Sequence, residues 1–335
     1  MKKYLWYSIF IFAIAMNSCD NDNILSSSPK ETQMEEQHLL VDLQNYNKDL
    51  LTRAETRGAG DWILKTCAIA GADIIGAWGG AQIGGTIGSV GGPVGTIVGG
   101  SIVSLVCGTG ASYLAYKGCS IVKPGINTGP ITSEIAYIDP GYIYLATLNI
   151  SPEDRLNEIR EANISTTFPE GFEGIERIGI DHNLALEGLF MEDSANNDHT
   201  QPNPVDSATL NFFNSPEFII QYQALQNQIL TAMTEIENLD IEQYFSDSDN
   251  QNISLTAQNV MTLFMELYTQ YPAGLEDIDQ IVNFYLQKID NTNALTMDEK
   301  EILYSGLAVA AYSPRFWSAK FENEQLERGE PLGEN

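Results

Sequence analysis

The sequence predicts a mainly α-helical protein, with a glycine-zipper helical hairpin followed by an all-α C-terminal domain and a short irregular or β connector between them. Three observations lead to this prediction. Residues 74–116 form an uncharged stretch of 43 residues in which small residues recur at every fourth position. Amphipathic stretches with helix-start signals fill the second half of the chain. That half is also acidic, since residues 131–335 hold 8 Lys and Arg against 35 Asp and Glu.

The charge of the chain restricts its partners. The formal net charge of the 335 residues is −28. This value argues against nucleic acid as a partner, because phosphate binding needs clustered Lys and Arg. An acidic surface of this kind keeps an exported protein soluble.

Residues 1–19 have the pattern of a lipoprotein signal peptide. Two lysines precede the apolar run 4–16, which at about 1.5 Å per residue is too short to cross a bilayer. The segment ends in MNSC, and a small residue before a lone cysteine resembles a bacterial lipobox. The DNDN that follows resembles the acidic tag that directs lipoproteins to the cell surface in Bacteroidota. We therefore expect lipid on Cys19. The alternative is an ordinary signal peptide with an incidental cysteine.

Residues 20–57 form the predicted tether, or pro-segment. After a polar start, the stretch 31–57 is helix-prone and carries a stripe of leucines. Arg53 and Arg57 are the only arginines before Arg155, and Arg57 lies in the small, flexible run TRGAG. Protease sites are often of this kind. We expect a cut after Arg57, with Arg53 as the second candidate. The alternative is an ordinary linker that contains arginine.

Residues 58–120 are interpreted as the glycine-zipper hairpin. Its glycines are Gly76, Gly80, Gly84, Gly88, Gly92, Gly95, Gly99, Gly100 and Gly108. In water, each interior glycine costs a helix about 1 kcal/mol relative to alanine. In a bilayer the backbone must satisfy its own hydrogen bonds, so a helix forms despite glycine. Small residues spaced by four then let helices approach closely.

The hairpin is expected to have helical arms over about 62–90 and 94–117, joined by the Gly-Gly-Pro turn at 91–93. The uncharged stretch is about twice as long as the ~20 residues needed for one membrane crossing. Two alternatives stay open. The segment could be the buried core of a soluble domain, or a β-hairpin, because Ile, Val and Thr favour strands.

The cysteines give a further prediction for the hairpin. Cys67 and Cys119 each lie 26 residues from Pro93, which places them side by side in an antiparallel hairpin. We predict a disulfide between them, as an exported protein allows. Cys107 is predicted to be free.

The connector spans residues 121–150, with short strands expected around the sequence IYLATLNI. The acidic helical domain is expected over 151–335. Three helix starts are well marked there, at SPED (151–154), SPE (215–217) and the capping box TMDE (296–299). The amphipathic stretches run over 218–236, 255–271, 275–289 and 296–312.

Catalytic motifs are absent from the sequence. It contains three histidines and no HExxH, GxSxG, P-loop or CxxC pattern. Asp181, His182 and Asn183, with Glu187 nearby, could form an acid–base group, but a capping or packing role for His182 is favoured. The acidic pair Asp247 and Asp249 lacks the remaining features of a calcium loop. We expect neither an enzyme, nor a cofactor, nor a metal site; a hydrolase that uses His182 is the alternative.

A lipobox cysteine, an arginine-containing linker and a glycine-zipper segment together resemble the glycine-zipper antibacterial toxins of gut Bacteroidales. The resemblance covers about residues 1–120. It implies a lipoprotein with lipid on Cys19, activated by a clostripain-like, Arg-specific cysteine protease at Arg57 or Arg53, whose glycines over 76–108 act in the membrane. The bilayer and the protease are the implied partners. A surface receptor on the target cell and self-association through the glycine stripe are further candidates.

This resemblance leads us to expect a Gram-negative outer-membrane or cell-surface lipoprotein, later released, that acts as a bacteriocin-like toxin by inserting its hairpin into the membranes of target bacteria. The competing hypothesis is a structural or adhesive outer-membrane lipoprotein, in which the hairpin is permanently embedded and the acidic domain is displayed as an adhesin or scaffold.

Overall fold

A computed structural model describes residues 29–54, 61–88, 93–121, 137–192, 207–232, 253–271 and 275–327. Nearly all of these residues are helical, and the described segments contain no strand, which confirms the mainly α prediction. The α-helices are α1 (Pro29–Ala54), α2 (Asp61–Gly88), α3 (Pro93–Ile121), α4 (Pro140–Leu148), α5 (Pro152–Ala162), α6 (Glu176–Glu192), α7 (Ser207–Phe213), α8 (Pro216–Ala232), α9 (Leu255–Gln270), α10 (Leu275–Asp290) and α11 (Met297–Glu327). A 3-10 turn over Glu173–Ile175 precedes α6.

Helices α2 and α3 form an antiparallel pair, which we call the glycine hairpin. Their bounds, Asp61–Gly88 and Pro93–Ile121, agree closely with the arms predicted from the sequence. The predicted turn at 91–93 falls mostly on residues 89–92, which lie outside the described segments. Both arms are helical, so the β-hairpin alternative is wrong.

The C-terminal helices pack around the glycine hairpin. Helix α11 lies along α2, α6 contacts both α3 and α11, and α8 contacts both arms. The buried side chains of the hairpin and those of the surrounding helices belong to one hydrophobic core. The hairpin therefore forms the centre of the described fold.

The connector differs from the prediction. The sequence IYLATLNI was expected to form short strands, but residues 140–148 form helix α4, so that expectation is wrong. The reason lies in its first turn, where Pro140 occupies the first helical position and the Asp139 carboxylate accepts a hydrogen bond from the Gly141 amide at 2.8 Å. The apolar residues of α4 pack against α3, α6 and α7.

The three predicted helix starts of the acidic region are confirmed. Ser151 caps α5 in a capping box with Asp154. The Phe218 amide donates to the Ser215 hydroxyl at 3.2 Å at the start of α8. At the start of α11, the Glu299 amide donates to the Thr296 hydroxyl at 3.2 Å, and the Glu299 carboxylate accepts from the Thr296 amide at 2.8 Å.

Helix α1 contains most of the predicted tether, and it packs against α9 and α10. Its side chains Leu39 and Leu43 are buried in the common core. Helix α1 therefore contacts the last third of the chain directly. The linker 55–60, whose residues lie outside the described segments, leads from α1 to α2.

Candidate functional site: the enclosed glycine hairpin

The two arms of the glycine hairpin touch through their backbones. A Cβ atom on Gly76 would lie 2.6 Å from the Ala111 Cβ, and one on Gly80 would lie 2.6 Å from the Val103 carbonyl oxygen. A Cβ on Gly108 would lie 3.3 Å from a carbonyl oxygen of α2. Only glycine permits so close an approach at Gly76 and Gly80. The interface therefore depends on residues that the small-residue spacing had singled out.

One hydrogen bond crosses the hairpin interface beside these glycines. The Ser104 hydroxyl donates to the Ala77 carbonyl at 2.8 Å, and both residues are buried. The small side chain of Ser104 thus adds a polar contact between the two arms. In the form described here, the glycine stripe is already paired within the chain.

Other helices approach the outer faces of the hairpin closely at several positions. The Trp78 indole lies over Gly306 of α11, where a Cβ would overlap it, and its Nε1 donates to the Leu303 carbonyl at 3.1 Å. On the side that faces α8, Gly79 lies against Leu225 and Gly110 lies against the Tyr222 hydroxyl.

A buried polar junction joins the hairpin to α11. The Asp73 side chain on α2 is fully buried; its Oδ2 accepts hydrogen bonds from the Ser313 hydroxyl and, at 3.0 Å, from Trp317 Nε1. Burial raises the pKa of Asp73 to about 7, because desolvation disfavours the carboxylate; hydrogen-bonding groups of Ser112, Ser313 and Trp317 offset this only in part.

His182 on α6 completes this junction. Its imidazole is fully buried, with Nε2 3.8 Å from Asp73 Oδ2 and Nδ1 3.3 Å from Asn183 Oδ1. Burial lowers the pKa of His182 to about 4. The neighbouring Asp181 turns away from it and pairs instead with Arg155 at 2.5 Å and with Arg177 at 3.0 Å. The imidazole has no surface open to a substrate in this arrangement, which fits the packing role favoured from the sequence.

The structure places the other predicted zipper residues in helix. Gly84 and Gly100 are buried in the two arms, and Gly88, Gly95 and Gly99 have helical backbone. Gly92 lies outside the described residues.

No helix among the described segments is both long enough and apolar enough to cross a membrane.

The predicted processing sites fall mostly outside the described residues, as Cys19 and Arg57 both do. Arg53 lies in the last turn of α1, where its guanidinium pairs with Asp49 at 2.6 Å.

The side chains of Cys67 and Cys119 also lie outside what the structure describes, so their disulfide stays a prediction. Cys107 is free and buried.

Sequence reasoning missed the residues that hold the hairpin in place. Asp73 lies immediately before the uncharged stretch and was not singled out, although one acid beside 43 uncharged residues was the available signal. Gly306, which lies under the Trp78 indole, has no comparable feature in the sequence.

The described residues include no group of His, Cys, Asp and Glu that could hold a metal. Asp247 and Asp249 lie outside them.

The first prediction compares two glycines of the same helix. Gly80→Ala should lower the free energy of unfolding by about 1–3 kcal/mol, because the new methyl group would overlap the α3 backbone. Gly85→Ala is the matched control. No atom lies within 4 Å of a Cβ at Gly85, so alanine there should raise that free energy by about 0.5–1 kcal/mol. Urea denaturation measures both, and equal effects would contradict the interface described here.

The second prediction concerns pH and the proton of the buried junction. The pKa of Asp73 rises from 3.8 to about 7 on folding, so its stabilising contribution is full near pH 4 and is lost as pH rises through 7. The pKa of His182 falls from 6.5 to about 4, so its contribution is full above pH 6.5 and is lost as pH falls through 4. The two effects largely cancel in the unsubstituted chain.

Removing one of the two groups should therefore expose the pH dependence that the other causes. Relative to the unsubstituted chain, the free energy of unfolding of the two variants should change with pH in opposite directions, by up to ~1.4 kcal/mol per pH unit. Relative to the unsubstituted chain, the free energy of unfolding of Asp73→Asn should rise from pH 4 to 7. That of His182→Gln should fall from pH 4 to 6.5. Denaturant unfolding at several pH values tests this, with Glu170→Gln, at an exposed carboxylate, as the control. Parallel profiles for all three variants would contradict it.

Comparison with protein-family models, with curated proteins and with solved structures finds no match to this chain. What the protein does is therefore inferred from its own residues, contacts and burial.

Proposed function

We propose that the protein is a secreted, lipid-anchored, bacteriocin-like antibacterial toxin that is released by Arg-specific proteolysis, and that its glycine hairpin then inserts into target bacterial membranes and disrupts them. One observation carries the proposal. The hairpin helices α2 and α3, which contain most of the uncharged stretch 74–116, are enclosed by helices from the acidic part of the chain. A membrane-active element stored in this way stays soluble until its covering opens.

Cleavage at Arg57 fits this proposal because of where the linker lies. Residues 55–60 separate α1, which would carry the lipid anchor, from the first arm of the hairpin. A cut there removes the covalent link between anchor and hairpin. Arg53 is the weaker substrate, since it lies in helical backbone that a protease must first unfold.

Self-association would follow from the hairpin interface. The glycines that pair the arms within one chain would offer the same surface to arms of other copies once the two arms have separated. Close contact between small residues is a main source of helix association in lipid. In this proposal the glycine stripe of each copy exchanges its partner during membrane entry.

The structural or adhesive lipoprotein is the second candidate function. The observation in its favour is the continuity of the core, which joins the glycine hairpin to α1 and to the C-terminal helices without an evident division. This candidate differs in one respect from the lipoprotein with a permanently embedded hairpin that the sequence suggested. Its hairpin would stay enclosed by the surrounding helices, and its acidic helices would be displayed at the cell surface.

Dye-loaded vesicles of bacterial lipid composition distinguish the two candidates. Protein without residues 1–19 should cause no leakage until an Arg-specific protease is added. Leakage should then appear for the unsubstituted chain and for Arg53→Ala, and should be at least tenfold lower for Arg57→Ala. Absence of leakage from every cleaved sample, including one from which the fragment before residue 58 has been removed, would favour the structural lipoprotein.

The Cys107 thiol gives an independent measure of hairpin exposure. It is buried against Gly80 in the hairpin interface, and burial raises the pKa of this thiol well above its usual range. Labelling of Cys107 by a thiol reagent, assigned by peptide mapping, should be slow before cleavage. It should become faster when cleaved protein meets vesicles. With the reagent present from the moment of cleavage, labelling that stays slow until leakage is complete would show that the hairpin never opens.

A further inference from the structure

The first helix among the described residues, α1, packs on the last third of the chain through an apolar contact. We call α1 the tether helix, because in the proposed function it links the lipid anchor to the hairpin. Leu39 and Leu43 are buried against α9 and α10. Tyr46 stacks on Phe284 of α10, with ring centroids 3.7 Å apart and planes 10° from parallel. Burial raises the pKa of Tyr46 to about 12.

A buried amide fixes the position of the tether helix along this contact. Asn47 is only 5% exposed. Its Nδ2 donates to the Leu263 carbonyl of α9 at 2.7 Å, and its Oδ1 accepts from the Tyr285 hydroxyl of α10 at 2.9 Å. Displacing the helix by one turn would leave these polar groups buried without partners, which is costly.

Charged side chains extend the contact along more than three turns of the tether helix. Lys288 Nζ pairs with Asp42 at 2.5 Å. Near the start of the helix, Glu35 accepts from the backbone and side-chain nitrogens of Asn293 at 3.1 and 3.2 Å, and Glu36 accepts from the Thr256 hydroxyl. The contacts therefore run from Glu35 to Asn47, with a buried centre and a polar edge, as in a helix bound in a groove.

We propose that the tether helix remains bound to α9 and α10 as a separate subunit after the linker is cut, so that cleavage arms the protein without releasing it from its anchor. This inference rests on the proposed activation by cleavage within residues 55–60. The contacts just described involve no residue of that linker, so a cut there leaves all of them intact. Release then requires a second event that removes the tether helix from its groove.

Loss of the covalent link changes only the effective concentration of the tether helix, from that of an attached segment to that of the free fragment. At micromolar concentration the fragment should still elute with residues 58–335 in size-exclusion chromatography of cleaved protein. Mass spectrometry confirms the cut, and a site-specific protease sequence inserted after Gly58 supplies it if Arg57 resists cleavage. Separate elution of the fragment directly after cleavage would overturn the proposal.

Variants on the two faces of the tether helix sharpen this experiment. Asn47→Ala removes the buried amide, whereas Val41→Ala, at a side chain that is 50% exposed, is the matched control. Release of a fluorescently labelled fragment is followed after cleavage, with excess unlabelled synthetic peptide 29–57 as competitor. Asn47→Ala should release the fragment at least tenfold faster than the unsubstituted chain, and Val41→Ala should not. Circular dichroism before cleavage confirms that both variants fold, and equal release rates would overturn the proposal.

Vesicle leakage measured on the same cleaved samples separates this inference from the proposed function. If the fragment leaves at once and leakage follows, the inference is wrong and the proposed toxin activity stands. If the fragment stays bound, and residues 58–335 separated from it also cause no leakage, the inference holds and the toxin activity is wrong. Both hold if the fragment stays bound after cleavage and leakage appears, either at once or when the fragment departs.

Discussion

Backbone contact between the two arms of the glycine hairpin is the constraint on which the rest of the structure depends. With no Cβ at Gly76 and Gly80, α2 and α3 approach until side chains and carbonyls of one arm touch the backbone of the other. The pair is therefore thin, and its bulky side chains point outward. Trp78 and its neighbours then present apolar surface on several sides, which a ring of amphipathic helices covers.

The polar junction shows how two ionisable groups are accommodated in the buried contact between the hairpin and the helices around it. An acid and an imidazole, Asp73 and His182, are buried together, and burial shifts both pKa values toward the neutral forms. Hydrogen bonds from Ser313 and Trp317 orient the carboxyl group. Two ionisable groups thus occupy the centre of the molecule without the large penalty of an unpaired buried ion.

Local signals in the sequence were sufficient for the two hairpin arms and for three helix starts of the acidic region, because capping residues and small-residue spacing act within a few positions. They could not identify what covers the hairpin. A helix that is apolar on every side is expected both in a protein core and in a membrane. The choice depends on residues more than 200 positions away, such as Leu303 and Trp317. The connecting helix α4 was missed because its apolar residues suit a strand as well as a helix, and the cap at Asp139 decides between them.

The order of these contacts along the chain has a consequence for biogenesis. Trp78 hydrogen-bonds to a residue 225 positions later in the chain, and Asp73 to one 244 positions later. The Asn47 amide accepts a hydrogen bond from a residue 238 positions later. A ribosome therefore completes the glycine hairpin well before it makes the helices that cover it. Packing of the hairpin against these helices is postponed until the C-terminal end of the chain has emerged.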